Sequence, residues 1–228
     1  ARLTKAQFTN TLADLVAWGI QQMCLAKPDY HYCNKPYFAD YYYNTARAWI
    51  HMFTSQTWMK LYPKDTHVTA DSEPRGGFLR LDSVVHAEHV RTWVGAGMYI
   101  AQDVMETNGF INWFLYDPCR ADMEANNMDW NNHFASFEEK FEWCIGKFIT
   151  KFGLRAYRRP LTEEEHEALM NVSHEAGENY TDEDLAGKSI YSRQFRNVMA
   201  TMLLSPEFLY RVEVGDENGK LTAYELAS

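Results

Sequence analysis

Residues that reverse the chain are scarce in this sequence. Only 12 glycines and 7 prolines occur among the 228 residues, whereas a many-stranded sandwich or barrel needs a turn signal roughly every 8–12 residues. This scarcity argues against both β architectures. Long apolar runs are missing as well, because none reaches the roughly 18 residues that a membrane-spanning helix requires. The sequence therefore predicts a helix-rich globular fold without a membrane span.

Positive charge is outnumbered by negative charge in this chain, and the imbalance lies in its second half. Lys and Arg number 22 against 31 Asp and Glu, which gives a net charge of -9. Residues 1–115 contain ten side chains of each sign, so the excess of acid lies in residues 116–228. Nucleic acids and anionic membranes bind basic surfaces, from which counterions are released. The charge argues against both as partners, whereas a basic protein partner fits it.

The cysteine pattern excludes the common metal and haem motifs. The four cysteines are Cys24, Cys33, Cys119 and Cys144, and no CxxC pair occurs among them, so neither a zinc ribbon nor a c-type haem attachment site is present. Two disulfides, and hence an oxidising compartment, are favoured over four reduced thiols in a cytosolic protein. The shortest loops join Cys24 to Cys33 and Cys119 to Cys144, one of three possible connectivities.

Helix-start signals and apolar periodicity predict an all-α fold, an irregular bundle of about six or seven helices with long, aromatic-rich connections. Capping boxes begin at Thr4, Ser136, Thr162 and Thr222. Pro160 ends the helix that follows Ser136, and Thr162 begins the next one. The apolar stripes with helical spacing are Phe8, Leu12, Leu15 and Val16; Phe38, Tyr42, Ala46, Trp49 and Phe53; Ala87, Val90, Val94, Met98, Ala101 and Met105; Phe137, Phe141, Ile145, Phe148 and Phe152; and Tyr191, Phe195, Val198, Met199 and Met202.

Two stretches without periodicity, residues 62–80 and 108–132, are predicted to be long connections because Pro, Gly and Asn interrupt them. The chain is expected to divide into two regions. Residues 1–115 form an N-terminal helical region with the aromatic-rich segment. Residues 116–228 form an acidic helical region with the RAYRRPLT and SPEFLYR motifs.

Four motifs of this sequence resemble those of one family. They are the RLT, NT and DL groups at 2–4, 10–11 and 14–15, FGLRAYRRPLT at 152–162, LSPEFLYRVE at 204–213, and LTAYELAS at 221–228. The family consists of large extracytoplasmic proteins of planctomycetes and myxobacteria, built from serial domains of unknown function. The resemblance implies secretion, association with c-type cytochromes, pairing of Cys119 with Cys144, and a chain that continues past Ser228. It implies no catalytic residue, and residues 21–69 do not align with it.

Three arginines of the RAYRRPLT motif form the densest cation cluster of the chain. Arg155, Arg158 and Arg159 are expected at the end of a helix, where cations complement the negative end of the helix dipole. This structural interpretation is the favoured one. Alternatively, two guanidinium groups bind a carboxylate or phosphate from a ligand or a neighbouring domain.

Two further groups are candidate sites. Residues 30–62 contain eleven aromatic residues, more than one helical stripe can bury, and the alternatives are irregular packing or an interaction surface. The residues proposed for that surface are Tyr37, Tyr41, Tyr42, Tyr43 and Trp58. His86 and His89 are three residues apart on a predicted helix and could share a metal, although no third ligand is identifiable. The polar run over residues 117–131 has oxygens for calcium but lacks EF-hand spacing.

These observations favour a secreted helical interaction or scaffold module of a larger assembly, with redox-associated proteins among its candidate neighbours. Its partners would be other extracytoplasmic protein chains, with a c-type cytochrome as one candidate, at the periplasm or cell surface or outside the cell. No cofactor is expected, and no residue is identified as catalytic. Two alternatives stay open: a carbohydrate-active hydrolase with paired carboxylates, and an electron-transfer protein that holds a metal or haem.

Overall fold

The computed structural model describes residues 5–26, 87–106, 112–178 and 190–210, together with Asp29, Cys33 and Lys220. Within these residues the chain forms seven α-helices and a short π-helical segment, and no strand. The helices are α1 (Lys5–Ala26), α2 (Ala87–Glu106), α3 (Asp117–Ala125), α4 (Phe137–Ala156), α5 (Glu163–Glu178), α6 (Ile190–Leu204) and α7 (Pro206–Leu209), and the π-helical segment is Asn112–Tyr116. The predicted all-α fold is confirmed.

The two central capping boxes begin helices as predicted. At the start of α4, Ser136 Oγ accepts a hydrogen bond from the Glu139 backbone N–H at 3.1 Å. At the start of α5, Thr162 Oγ1 accepts the Glu165 N–H at 3.2 Å, and the Glu165 carboxylate accepts the Thr162 N–H at 2.8 Å. Each bond satisfies a backbone donor that has no partner within the helix. The other two predicted boxes begin at Thr4 and Thr222, which lie outside the described residues.

Helix α1 is buried over more than one face. The predicted stripe of Phe8, Leu12, Leu15 and Val16 is buried, and so are Ala13, Trp18 and Ile20 on other sides of the helix. Helix α1 packs against the π-helical segment, α3 and α4, and the Phe8 ring meets Phe208 of α7 edge to face at 5.7 Å. Helix α1 is therefore part of the same hydrophobic core as α3, α4 and α7.

Helix α2 packs with a different face from the one that the sequence predicted. Val90, Val94 and Met98 are 48%, 44% and 37% exposed, whereas the buried positions include Trp93, Ala96, Ile100 and Ala101. The small residues explain the error. A Cβ on Gly97 would lie 3.0 Å from Leu204 of α6, so α6 approaches closely along the Gly and Ala positions. A stripe drawn mainly through the larger apolar residues of α2 does not show that the small residues form the packing face.

The prediction of one long connection over residues 108–132 is wrong, because the π-helical segment and α3 lie within it. Pro118 occupies the first turn of α3, where its missing N–H costs no hydrogen bond. Leu115, Cys119 and Met123 recur at helical spacing and are buried. Beyond α3, Asn127 has φ 57°, the left-handed conformation that often ends a helix.

Helices α4, α5 and α6 pack on one another and form the scaffold of the candidate site described below. The predicted stripe of α4 is buried from Phe141 to Phe152, although Phe137 at its first turn is 49% exposed. The predicted stripe of α6 is buried from Phe195 to Met202. Phe148 of α4 lies 4.8 Å from Phe195 of α6, measured between ring centres. Aromatic packing thus fixes α4 against α6.

Both disulfides of the shortest-loop pairing are present. Cys119 of α3 is bonded to Cys144 of α4 and both are buried, with a Cα–Cα distance of 5.2 Å. Cys24 near the end of α1 is bonded to Cys33. Beside the first bridge, Lys151 of α4 donates a hydrogen bond to Asp122 of α3 at 2.6 Å. None of the helices in the described part of the chain is long and apolar enough to cross a membrane.

Candidate functional site

The arginine cluster of the RAYRRPLT motif lies where α4 ends and the chain turns toward α5. Arg159 donates two hydrogen bonds to Glu165, from Nη1 to Oε2 at 2.8 Å and from Nη2 to Oε1 at 2.6 Å. These bonds from Arg159 lower the pKa of the Glu165 carboxyl. Such a two-pronged pair fixes direction as well as distance. The pair therefore holds the corner between the two helices.

The other two arginines of the cluster also serve the fold. The Arg155 guanidinium lies 5.4 Å from the ring centre of Trp18 on α1, within cation–π range. Arg158 has φ 59°, and this left-handed residue turns the chain at the corner. Because Glu165 occupies the fork of Arg159, an external anion would have to displace that carboxylate. The contacts therefore favour the structural interpretation of the cluster.

The two sharpest motifs of the sequence meet in space. Tyr157 is buried at the end of α4, and its phenol lies near Ser205, which caps α7. Burial raises the pKa of the Tyr157 phenol. The charge of Glu207 raises the pKa of Arg159 further, after the larger effect of Glu165. The RAYRRPLT and SPEFLYR motifs thus form one structural junction.

The remaining predicted sites fall mainly on residues that the structure does not describe. Tyr37, Tyr41, Tyr42, Tyr43, Trp58 and His86 lie outside the described residues, as does the side chain of His89 on α2. In the parts of the chain that are described, no three His, Cys, Asp or Glu side chains are grouped as metal ligands would be. The aromatic surface and the two-histidine metal site stay predictions.

Oxygens of the polar run considered for calcium are used for local hydrogen bonds. Asp129 accepts the Asn131 backbone N–H at 2.8 Å and the Asn132 side-chain amide at 2.7 Å. These two donors lower the pKa of the Asp129 carboxyl. Glu124 pairs with Arg120 at 2.9 Å. The run shapes the turn after α3.

A cavity of about 440 Å³ opens between α4, α5 and α6. Its volume lies in the range of roughly 300–1,000 Å³ that is typical of ligand pockets. The apolar part of its wall consists of Phe141 and Ile145 from α4 and Ile190 and Tyr191 from α6. The Tyr191 ring lies 4.8 Å from Phe141 and 4.9 Å from the exposed Phe137, between ring centres. An aromatic surface thus continues from the cavity to the outside of the protein.

The polar part of the lining is acidic and rich in acceptors. Glu138 and Glu142 contribute carboxylates from α4, and no Lys or Arg lines the cavity among the described residues. His174 Nε2 of α5 lies 3.4 Å from Glu142 Oε1, and both side chains are about half exposed. Gln194 of α6 also lines the cavity, and its Oε1 is buried without a hydrogen-bond partner in the described part of the chain. The lining therefore has more acceptors than donors to satisfy them.

The arrangement of these groups suits binding better than hydrolysis. The two carboxylates of the cavity, Glu138 and Glu142, lie one turn apart on the same helix. Glycoside hydrolysis needs carboxyl groups on opposite sides of the scissile bond, roughly 5–9.5 Å apart. Across the cavity, α5 contributes Ser173 and His174 instead of a second acid.

Sequence patterns do not identify this cavity. Glu138 fits helix capping, and His174 fits an exposed helix surface, because each matches a local pattern. One signal is available in the sequence: Ser173 lies on the buried stripe of α5 that includes Leu169 and Ala176. A buried polar residue within an apolar stripe is more informative than another buried apolar one.

Comparison with known proteins gives one partial match to a domain family and no activity. The sequence model of a family described as PSD5, "Protein of unknown function (DUF1595)", matches residues 144–213. This segment contains both motifs of the structural junction and the α5 and α6 sides of the cavity. The match is consistent with the resemblance to a family of unknown function. No curated protein and no solved structure matches the chain.

Proposed function

We propose that this protein is an extracytoplasmic helical interaction module that binds another protein chain at the cavity between α4, α5 and α6. The observation that carries this proposal is the cavity itself, with an aromatic wall that extends outward to Phe137. Protein interfaces are enriched in aromatic residues at their cores. The acidic region over residues 116–228 carries the whole site, and we propose it as a separate functional region.

Two features support an extracytoplasmic location. The first is the cysteine pairing, because all four cysteines are joined in two disulfides and such bonds persist mainly in oxidising compartments. Bridges of this kind stabilise a fold by roughly 2–4 kcal/mol each, chiefly by restricting the unfolded chain. The second is the set of four motifs that resemble those of the extracytoplasmic family, because this resemblance implies export and an association with c-type cytochromes. On the basis of these motifs, we propose that the protein belongs to a redox-associated assembly.

The partner we propose is a protein with a basic surface. The chain has a net charge of -9, concentrated in residues 116–228, and complementary charge speeds the encounter of two proteins and selects between partners. A basic cytochrome domain fits this description. Hydrolase activity has less support, because the carboxylates of the cavity do not face each other.

The test is co-purification from cells of the source organism. The tagged chain should elute with a second protein after mild extraction of the extracytoplasmic fraction. Tyr191→Ala removes an aromatic wall of the cavity and should release that protein, whereas Tyr99→Ala, which removes an exposed tyrosine of α2, should retain it. Elution of the wild-type chain alone, or equal retention by the two variants, would contradict the proposal.

A further inference from the structure

We infer that the cavity receives a positively charged nitrogen group on an apolar stem, the side chain of a lysine or arginine from the partner protein. This inference rests on the proposed function, because it names the group that the same cavity binds. Three independent features of the lining carry it: its charge, an unsatisfied acceptor, and its aromatic wall.

The charge of the lining is negative. Among the described residues, Glu138 and Glu142 line the cavity with carboxylates, and His174 is the one other titratable side chain of the lining. Glu138 has no ion-pair partner among the described residues. Within the described part of the chain, the ion-pair partner of Glu142 is the half-exposed His174 at 3.4 Å. A cation that enters between these carboxylates gains charge-assisted hydrogen bonds from them.

The unsatisfied acceptor is the side-chain oxygen of Gln194. This oxygen is buried and accepts no hydrogen bond from the described residues, although buried polar groups nearly always have partners. The terminal torsion of a Gln side chain is soft, so rotation about it can present the oxygen to the cavity. An ammonium or guanidinium group has only donors, and it would supply the missing hydrogen bond.

The aromatic wall suits both parts of a long basic side chain. The faces of Phe141 and Tyr191 can cover the methylene stem, while aromatic rings attract a nearby cation. Ile145 and Ile190 complete an apolar lining for the stem. A short carboxylate or phosphate ligand would meet two carboxylates and no Lys or Arg of the described lining. The lining therefore selects cations over anions.

The experiment is a calorimetric titration of the full chain with two peptides that differ only in the ammonium group. The lysine peptide is acetyl-Gly-Lys-Gly-amide, and the second peptide has norleucine in place of lysine. We expect the lysine peptide to bind roughly tenfold or more tightly than the norleucine peptide. Equal binding of the two peptides would overturn the inference while leaving an apolar docking site intact.

Matched variants locate the binding. Glu138→Gln with Glu142→Gln should weaken the lysine peptide roughly tenfold. Glu163→Gln with Glu167→Gln removes the same charge from exposed positions with the same spacing on α5, and it should leave the affinity within about twofold. Gln194→Met keeps the length of the side chain without its acceptor and should also weaken binding. Equal effects of the two double variants would overturn the inference.

A third titration distinguishes two sources of the ammonium group, a side chain of a partner protein and a free small molecule. Putrescine presents the group on a free small molecule, without a peptide backbone. Binding of putrescine more tightly than the lysine peptide would contradict a protein partner as the occupant. If the chain binds the lysine peptide but no protein co-purifies with it from source cells, the proposed function is refuted and the cation preference is not.

Discussion

The space around single residues decides what each position tolerates, and two helical glycines show this at opposite extremes. A Cβ on Gly19 of α1 would lie 2.5 Å from the ring of Phe114, which is 1% exposed. A Cβ on Gly95 of α2 would have no atom of the described residues within 4 Å. Since Phe114 is enclosed by the core, its ring has no room to move away. The same substitution should therefore have opposite effects at these two positions.

We predict that Gly19→Ala lowers the free energy of unfolding by about 1–3 kcal/mol, because it overpacks the core. Gly95→Ala should raise it by about 0.5–1 kcal/mol, because alanine restricts the unfolded chain and favours helix. Urea unfolding followed by circular dichroism measures both values. An unchanged or raised free energy of unfolding for Gly19→Ala would refute the close packing of α1 on the π-helical segment.

The unpaired oxygen of Gln194 is a second feature at the scale of a residue. A buried acceptor without a donor lowers stability by about 1–3 kcal/mol. Groups with such a cost cluster at functional sites, where a ligand provides what the fold does not. Its position in the lining of the cavity is therefore the reason to connect it with binding.

Between elements, the corner that joins α4 to α5 depends on the Arg159–Glu165 pair. Gly153 contributes to the same corner, because the side chain of Leu161 occupies the place where a Cβ would lie. The hydrogen bonds from Arg159 lower the pKa of Glu165 below its ordinary value of 4.5. A carboxyl whose pKa is lower in the folded state stabilises the fold above its unfolded pKa. That contribution is lost as the pH falls through the folded value.

We predict that Glu165→Gln lowers the free energy of unfolding by about 1 kcal/mol at pH 7, since the pair is partly exposed. The difference between wild type and variant should shrink as the pH falls below 4.5, because the wild-type carboxylate then becomes protonated. Urea unfolding of both proteins at neutral and acidic pH measures this difference in the free energy of unfolding. Glu167→Gln, at an exposed position of α5, serves as control. A difference that stays constant with pH would contradict the role of this pair.

The elements show which local signals suffice for prediction. Ser136 and Thr162 mark the starts of α4 and α5 because a capping box is complete within four residues. The buried stripes of α4 and α6 are predictable because large apolar residues recur at helical spacing. The packing face of α2 is not predictable in this way, because it depends on Gly97 and Ala96. The small size of these residues matters only once α6 packs against them. Helix α3 escapes prediction because its polar residues and Pro118 resemble a connection.

Across the whole molecule, α1 joins the two predicted regions of the chain. Its Phe8 contacts Phe208 of α7, and its Trp18 lies 6.1 Å from Phe152 of α4, between ring centres. The first resembling motif, which reaches into α1, is thereby packed against the helices of the later motifs. These motifs are recognisable in the sequence, but their contacts follow from the tertiary fold.

The cavity is also a property of the whole molecule, and no local pattern predicts it. It forms where three helices cross, and its acidic residues fit ordinary surface and capping positions when the sequence is read alone. The unmet hydrogen bond of Gln194 is apparent only after α4, α5 and α6 are packed together. The proposed function therefore depends on whether a partner protein binds at this cavity.

Photocrosslinking in source cells shows whether a partner protein contacts the cavity. A benzophenone amino acid replaces Tyr191 in the cavity or, as a control, the exposed Tyr99 of α2. After irradiation, we predict one discrete adduct with a second protein from position 191 and none with that protein from position 99. No adduct from position 191, or the same adducts from both positions, would contradict binding at this cavity.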